Sequence, residues 1–105
     1  MRLANVRFYC GDAADTLATI ATLLGRVDVI TLNPPRKGAD EKARAAIVAR
    51  APRRIVYVSC DPTTLGRDLD WFAAYGYVTT AVQPFDMLPQ TEHVECVAQL
   101  MRTEA

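Results

Sequence analysis

Cys60 stands where an apolar run, Arg54 to Ser59, meets Asp61-Pro62. Asp followed by Pro is a helix start: the carboxylate caps the first turn and proline takes a helical position that needs no amide hydrogen. A cysteine there lies at the positive end of a helix dipole, which favours thiolate over thiol. The chemistry open to it is covalent addition to an electrophilic carbon. The ordinary alternative is a small packing residue, the role of most free cysteines. Cys10 and Cys96 lie within or at the edge of strand-like segments without this setting and read as packing residues.

Glu95 sits in an apolar stretch, between Val94 and Cys96 and before Val97-Ala98. A carboxylate there is costly unless paired or exposed. Burial would raise its proton affinity and make it a proton acceptor near neutrality; an exposed strand-edge glutamate is the plain alternative. His93, two residues earlier, faces the same side of an extended strand and is either a second base or a hydrogen-bonded structural residue. Asp12 and Asn33 each follow a strand-like segment. Each can offer hydrogen bonds to a ligand at a sheet end, or simply close its own turn.

These residues must be positioned by alternating elements. Val6 to Cys10 reads as a short strand, and Ala13 to Leu24 as a helix with Leu17, Ile20, Ala21 and Leu24 on one stripe. Val27 to Leu32 is almost wholly apolar and reads as a strand buried on both faces. Pro34-Pro35 stops it, and Asp40 to Ala51 forms the next helix, ended by Pro52. Strand Arg54 to Ser59 leads into a helix with Leu65, Leu69, Phe72 and Ala73 as its buried stripe, ending near Gly76. Tyr77 to Pro84 and His93 to Met101 read as two last strands, joined by the loop Phe85 to Glu92. Alternation ending in two strands without a helix between them predicts an α/β fold with a parallel sheet and an antiparallel last strand. Ligands in such sheets bind outside the carboxyl ends of the strands. Asp12, Asn33 and Cys60 follow strands there, and His93 and Glu95 lie near.

Length and composition bound the rest. One domain fits 105 residues with no net formal charge. No apolar run approaches the ~20 residues of a membrane helix, and the amino terminus lacks a secretory pattern. Three widely spaced cysteines and one histidine argue against a zinc site or a disulfide scaffold and for a reduced, cytoplasmic setting. Between Arg36 and Arg54 stand seven basic residues against two acidic. This is either a solvated helix face or a phosphate-contacting surface including Arg36 and Lys37.

Asn-Pro-Pro-Arg-Lys-Gly (33–38), then Ile-Val-Tyr-Val-Ser-Cys-Asp-Pro-x-Thr (55–64), closely resembles the signature of the RNA 5-methyluridine methyltransferases. Asp-Met-Leu-Pro-Gln-Thr-Glu-His-Val-Glu (86–95) resembles that family's second signature, which ends in its catalytic glutamate. The resemblance covers nearly the whole chain, and the members that methylate ribosomal RNA look nearest.

The resemblance implies a Rossmann-like class I methyltransferase sheet and S-adenosylmethionine as methyl donor. It implies Cys60 as the nucleophile that adds to C6 of uracil, and Glu95 as the base that removes the C5 proton. Asp12 matches the position that contacts the adenosine of the cofactor. Asn33 matches the first residue of an Asp-Pro-Pro-Arg motif beside the methyl donor; asparagine there keeps hydrogen bonding and loses a charge. Arg36, Lys37 and His93 are candidates for RNA contact, and no metal is implied. The family's first strands and glycine-rich cofactor loop are expected before residue 1, so 1–105 reads as the carboxyl-terminal part of a catalytic domain, inactive alone. A sheet lacking those strands is expected to self-associate, most simply as a homodimer. Two other readings stand beside this one: a catalytically silent binding module, and a cysteine hydrolase using Cys60, His93 and Glu95, for which no hydrolase signature surrounds Cys60.

Overall fold

The structure is a computed structural model and describes residues 27–85 and 95–103. The predicted strand at 6–10 and helix at 13–24 lie outside the described residues, as do Cys10, Asp12 and His93. Within them the elements follow the predicted alternation. β1 is Val29–Leu32, α1 Glu41–Ala49, β2 Arg54–Ser59, α2 Pro62–Ala74, β3 Tyr77–Phe85 and β4 Glu95–Arg102.

Local chemistry starts and stops the helices where the sequence places them. Asp40 caps α1, its carboxylate accepting the Ala43 amide at 2.7 Å. Asp61 caps α2, accepting the amides of Thr63 at 2.9 Å and Thr64 at 3.3 Å, with Pro62 in the first turn. Gly76 turns the chain out of α2 at φ +93°, a left-handed conformation natural to glycine. Ala51 makes the equivalent turn after α1 at φ +49°, without glycine's freedom.

The sheet order is β1-β2-β4-β3. β1 and β2 pair parallel, Leu32 opposite Tyr57. β4 lies antiparallel between β2 and β3, pairing Ser59 with Cys96 on one side and Phe85 with Glu95 on the other. Among the described strands β4 alone therefore runs against the other three, which gives the predicted antiparallel last strand. A bulge between Thr79 and Ala81 shifts the β3 register.

The core occupies one face of this sheet. Ile55 and Tyr57 of β2, Ala98 and Leu100 of β4, and Tyr77 of β3 pack with Ile47 of α1 and Leu65 and Phe72 of α2. Ile30 and Leu32 of β1 border that cluster. The Tyr77 hydroxyl donates to the Pro52 carbonyl at 2.6 Å, tying the start of β3 to the exit of α1.

Two expectations need correction. β1 is not buried on both faces: Ile30 and Leu32 are half-buried, whereas Thr31 is exposed and Val29 is 50% exposed. The described helices pack on one side only, so alternate residues of β1 face solvent. The α2 stripe also differs, because Ala73 is exposed and Asp68 is fully buried. Asp68 stands three residues after Leu65 and four before Phe72, squarely on the inward face.

Candidate active site

Parallel pairing of β1 and β2 brings the carboxyl ends of both strands to one edge of the sheet. Asn33 follows β1 there, and Cys60 follows β2. β4 enters from the same edge, since Ser59 is opposite Cys96. Glu95 and Cys60 each lie one residue beyond that pair. Neighbouring positions in such a ladder are about 5 Å apart. Leu32 and Cys96 border the core cluster and Ser59 is buried. Glu95, inside β4, alternates with Cys96 onto the other side, and Asn33 and Cys60 are the first residues after β1 and β2 at the same edge. Cys60 and Glu95 are half-buried, and Asn33 is exposed.

The corner bearing Cys60 is closed by its neighbours. The Ser59 hydroxyl donates to the Asp61 carbonyl at 2.9 Å and accepts the Asp61 amide at 3.0 Å. This ring of bonds folds the chain sharply around Cys60. The amides of Thr63 and Thr64 are already taken by the Asp61 carboxylate, so the helix start offers Cys60 its dipole rather than those two donors.

Asn33 begins the loop that crosses from β1 to α1. The Gly38 amide donates to the Pro35 carbonyl at 2.8 Å, closing a turn. Arg36 and Lys37 are exposed on that turn, and their carbonyls accept from α2 side chains. The Asn33 side-chain amide makes no hydrogen bond among the described residues.

Beneath this loop lies a polar cluster that sequence reasoning missed. Asp68 accepts the Ala39 amide at 2.9 Å and a bond from the Tyr57 hydroxyl. Arg44 donates to its other oxygen at 2.7 Å, and Arg67 lies 3.2 Å from that oxygen. Arg44 also stacks over the Trp71 ring, 4.9 Å from its centre. One of the seven basic residues between 36 and 54 is thus an interior partner of a carboxylate, not part of a solvated face. Burial by itself would push the Asp68 carboxyl up. The bonds from Tyr57, Ala39, Arg44 and Arg67 outweigh it and hold the carboxyl below its ordinary value. Burial, reinforced by the Asp68 charge, pushes the Tyr57 phenol well above its own. The available signal was an aspartate at an inward helical position, three residues before a tryptophan.

No group of three His, Cys, Asp or Glu among the described residues is arranged to hold a metal, and no described helix is long and apolar enough to cross a membrane.

The M1.HpyAVI structure in complex with SAM superposes on 92% of this chain and 53% of its own, with a TM-score of 0.71 at 16% identity. That likeness is one of fold, a Rossmann-like sheet of which the described strands form part. A tRNA (uracil-54, C5)-methyltransferase of Pyrococcus abyssi, in complex with S-adenosyl-L-homocysteine, matches 74% of this chain and 19% of its own at 35% identity, with a TM-score of 0.64. An uncharacterised RNA methyltransferase of Geobacter sulfurreducens is 50% identical over 101 residues, 96% of this chain and 20% of that protein. The model of the tRNA (uracil-5-)-methyltransferase family matches residues 8–103, and the chain belongs to that family. It spans about a fifth of the length of the curated relatives it matches.

Proposed function

We propose that this chain carries the nucleophile and the base of an S-adenosylmethionine-dependent RNA uracil-C5 methyltransferase. The observation that supports it is the β2–β4 register, which sets Cys60 and Glu95 side by side one residue past Ser59 and Cys96, with Asn33 at the same sheet edge.

The uracil C5 is a weak nucleophile until C6 is attacked. Cys60 Sγ forms a bond to C6, and the electron pair of the C5–C6 double bond moves onto C5 and the O4 carbonyl. S-adenosylmethionine, when bound, supplies the methyl group to C5. The Glu95 carboxylate then takes the C5 proton, the freed pair rebuilds the double bond, and the Cys60 thiolate leaves. Asn33, exposed and with its amide unspent among the described residues, fits a hydrogen-bonding role toward the cofactor or the base. Asp12 is assigned to the adenosine of the cofactor by its place in the family pattern. Arg36, Lys37 and His93 are assigned to RNA, and the favoured RNA class is ribosomal.

The test grafts this chain in place of the matching segment of the Geobacter sulfurreducens relative. RNA carrying 5-fluorouridine is the probe, because a fluorine at C5 leaves no proton for Glu95 and the adduct persists. The expected result is an RNA-linked protein band on denaturing electrophoresis that requires S-adenosylmethionine and vanishes in Cys60→Ala. An undiminished band in Cys60→Ala overturns the mechanism. Ribosomal and transfer RNA transcripts assayed side by side decide the RNA class.

A further inference from the structure

We propose that Thr64, Arg67 and Asp68 form a strut on α2 that positions the loop carrying Asn33 and Arg36 over Cys60. The proposal rests on reading Asn33 and Cys60 as one site. These three residues lie at helical spacing on one flank of α2. Each bonds to the backbone of the loop, so their grip depends on the loop's path rather than on its side chains. Thr64 Oγ1 donates to the Arg36 carbonyl at 2.7 Å. Arg67 Nη2 donates to the Lys37 carbonyl at 2.7 Å. The Ala39 amide donates to Asp68 Oδ2 at 2.9 Å. Three successive peptide units of one loop are thereby fixed to a single helix.

That helix starts immediately after Cys60, with Asp61 as its cap. The same rigid body therefore sets both the nucleophile corner and the loop. Tyr57, three residues before Cys60 on β2, closes the frame by donating to Asp68. The contact leaves no room for a side chain at Gly38. Its φ is +87°, and a Cβ there would lie 2.7 Å from Asp68 Oδ2. A loop that merely connected β1 to α1 would need none of this. The bonds fix where the backbone of residues 36–39 passes, and with it where the loop presents Asn33 and Arg36.

The test uses Thr64→Val and Arg67→Met, which each remove one loop bond and leave the buried Asp68 in place, with Thr64→Ser as the conservative control. Trypsin cleavage after Arg36 and Lys37 is timed on the 105-residue chain. The expected result is cleavage at those two sites accelerated about tenfold in both variants, the sites common to all the proteins otherwise unchanged, and wild-type rates in Thr64→Ser. Unchanged cleavage, or an equal rise at every site, overturns the strut. Adduct formation with 5-fluorouridine RNA is then measured in the grafted protein beside iodoacetamide alkylation of Cys60. A loosened loop should lower adduct yield several-fold and leave alkylation unchanged. Full adduct yield despite a loosened loop overturns the positioning role. A wild-type graft that forms no adduct defeats the methyltransferase reading itself, and the cleavage rates still decide the strut.

Discussion

The Tyr57 hydroxyl donates to the Asp68 carboxylate from the centre of β2, and both side chains are fully buried. A strand that ends at the candidate nucleophile is thereby locked to the helix that begins after it. The bond joins a phenol held neutral to a carboxylate held charged, so the pair responds to pH in both directions.

On the acid side the group is Asp68. Its folded carboxyl titrates below the ordinary 3.8, so its contribution is complete above that value and is lost as pH falls through the lower folded value. Urea midpoints measured from pH 6 downward should therefore fall below about pH 4. Asp68→Asn should flatten that limb at the cost of about 1.5–3 kcal/mol near neutrality. A wild-type acid limb that Asp68→Asn leaves equally steep contradicts the assignment.

On the alkaline side the group is Tyr57. Its folded phenol titrates above the ordinary 10.0, so its contribution is complete below pH 10 and lost as pH rises through the higher folded value. Burial raises the Tyr77 phenol also. Tyr57→Phe should lower stability by about 1–2 kcal/mol at pH 7 and make the loss above pH 10 shallower without abolishing it. Chemical unfolding followed at pH 7 and in steps above pH 9 reads both effects.

Ala51 holds φ +49° at the end of α1, where its carbonyl accepts from Arg102 at 2.8 Å. A left-handed alanine costs about 1–2 kcal/mol, partly offset by the larger unfolded-state entropy of glycine. Ala51→Gly should stabilise the chain by about 0.5–1 kcal/mol. A lower urea midpoint in this variant would show that the strain lies elsewhere.

The sheet face away from α1 and α2 carries Val29, 50% exposed, and Val78, 49% exposed, with Val56, Val58 and Val97 half-buried between them. A second copy of this chain covering that face should give a dimer by light scattering at micromolar concentration. Val29→Lys with Val78→Lys should return a monomer, and a wild-type monomer contradicts the expected self-association.

Much of this arrangement is legible in residue order. The run Arg54 to Ser59 is bounded by Asp61-Pro62, so its end and the following helix start are both written locally, and Cys60 falls between them. Parallel pairing of β1 and β2 follows from two apolar runs separated by one helix. Asp68 was hidden for a physical reason. Its partners come from 11, 24 and 29 residues away, so its charge reads as a solvent-facing residue until tertiary structure supplies Tyr57, Arg44 and the Ala39 amide. The exposure of β1 was hidden likewise, because an apolar run states that burial is available, not which layers supply it. The placement of β4 between β2 and β3 depends on the choice of strand partners, which no local pattern encodes.

Glu95 is the residue whose role a single substitution can separate from folding. It begins β4, half-buried, paired with Phe85 and one residue beyond the Ser59–Cys96 pair. Glu95→Gln keeps the shape and the hydrogen-bonding capacity but cannot accept the C5 proton. In the grafted protein with unmodified RNA, Cys60 should still add to C6 and the methyl group should still reach C5. Elimination should then stall, and a methylated protein–RNA species should accumulate on denaturing gels while turnover falls about 10²–10⁴-fold, the usual worth of a positioned base. A variant that merely folds poorly loses turnover without accumulating that species. Cys60→Ala in the same background should abolish the species, since no bond to C6 can form. Normal turnover in Glu95→Gln removes Glu95 from the mechanism and makes His93, two residues earlier in sequence, the base to test next.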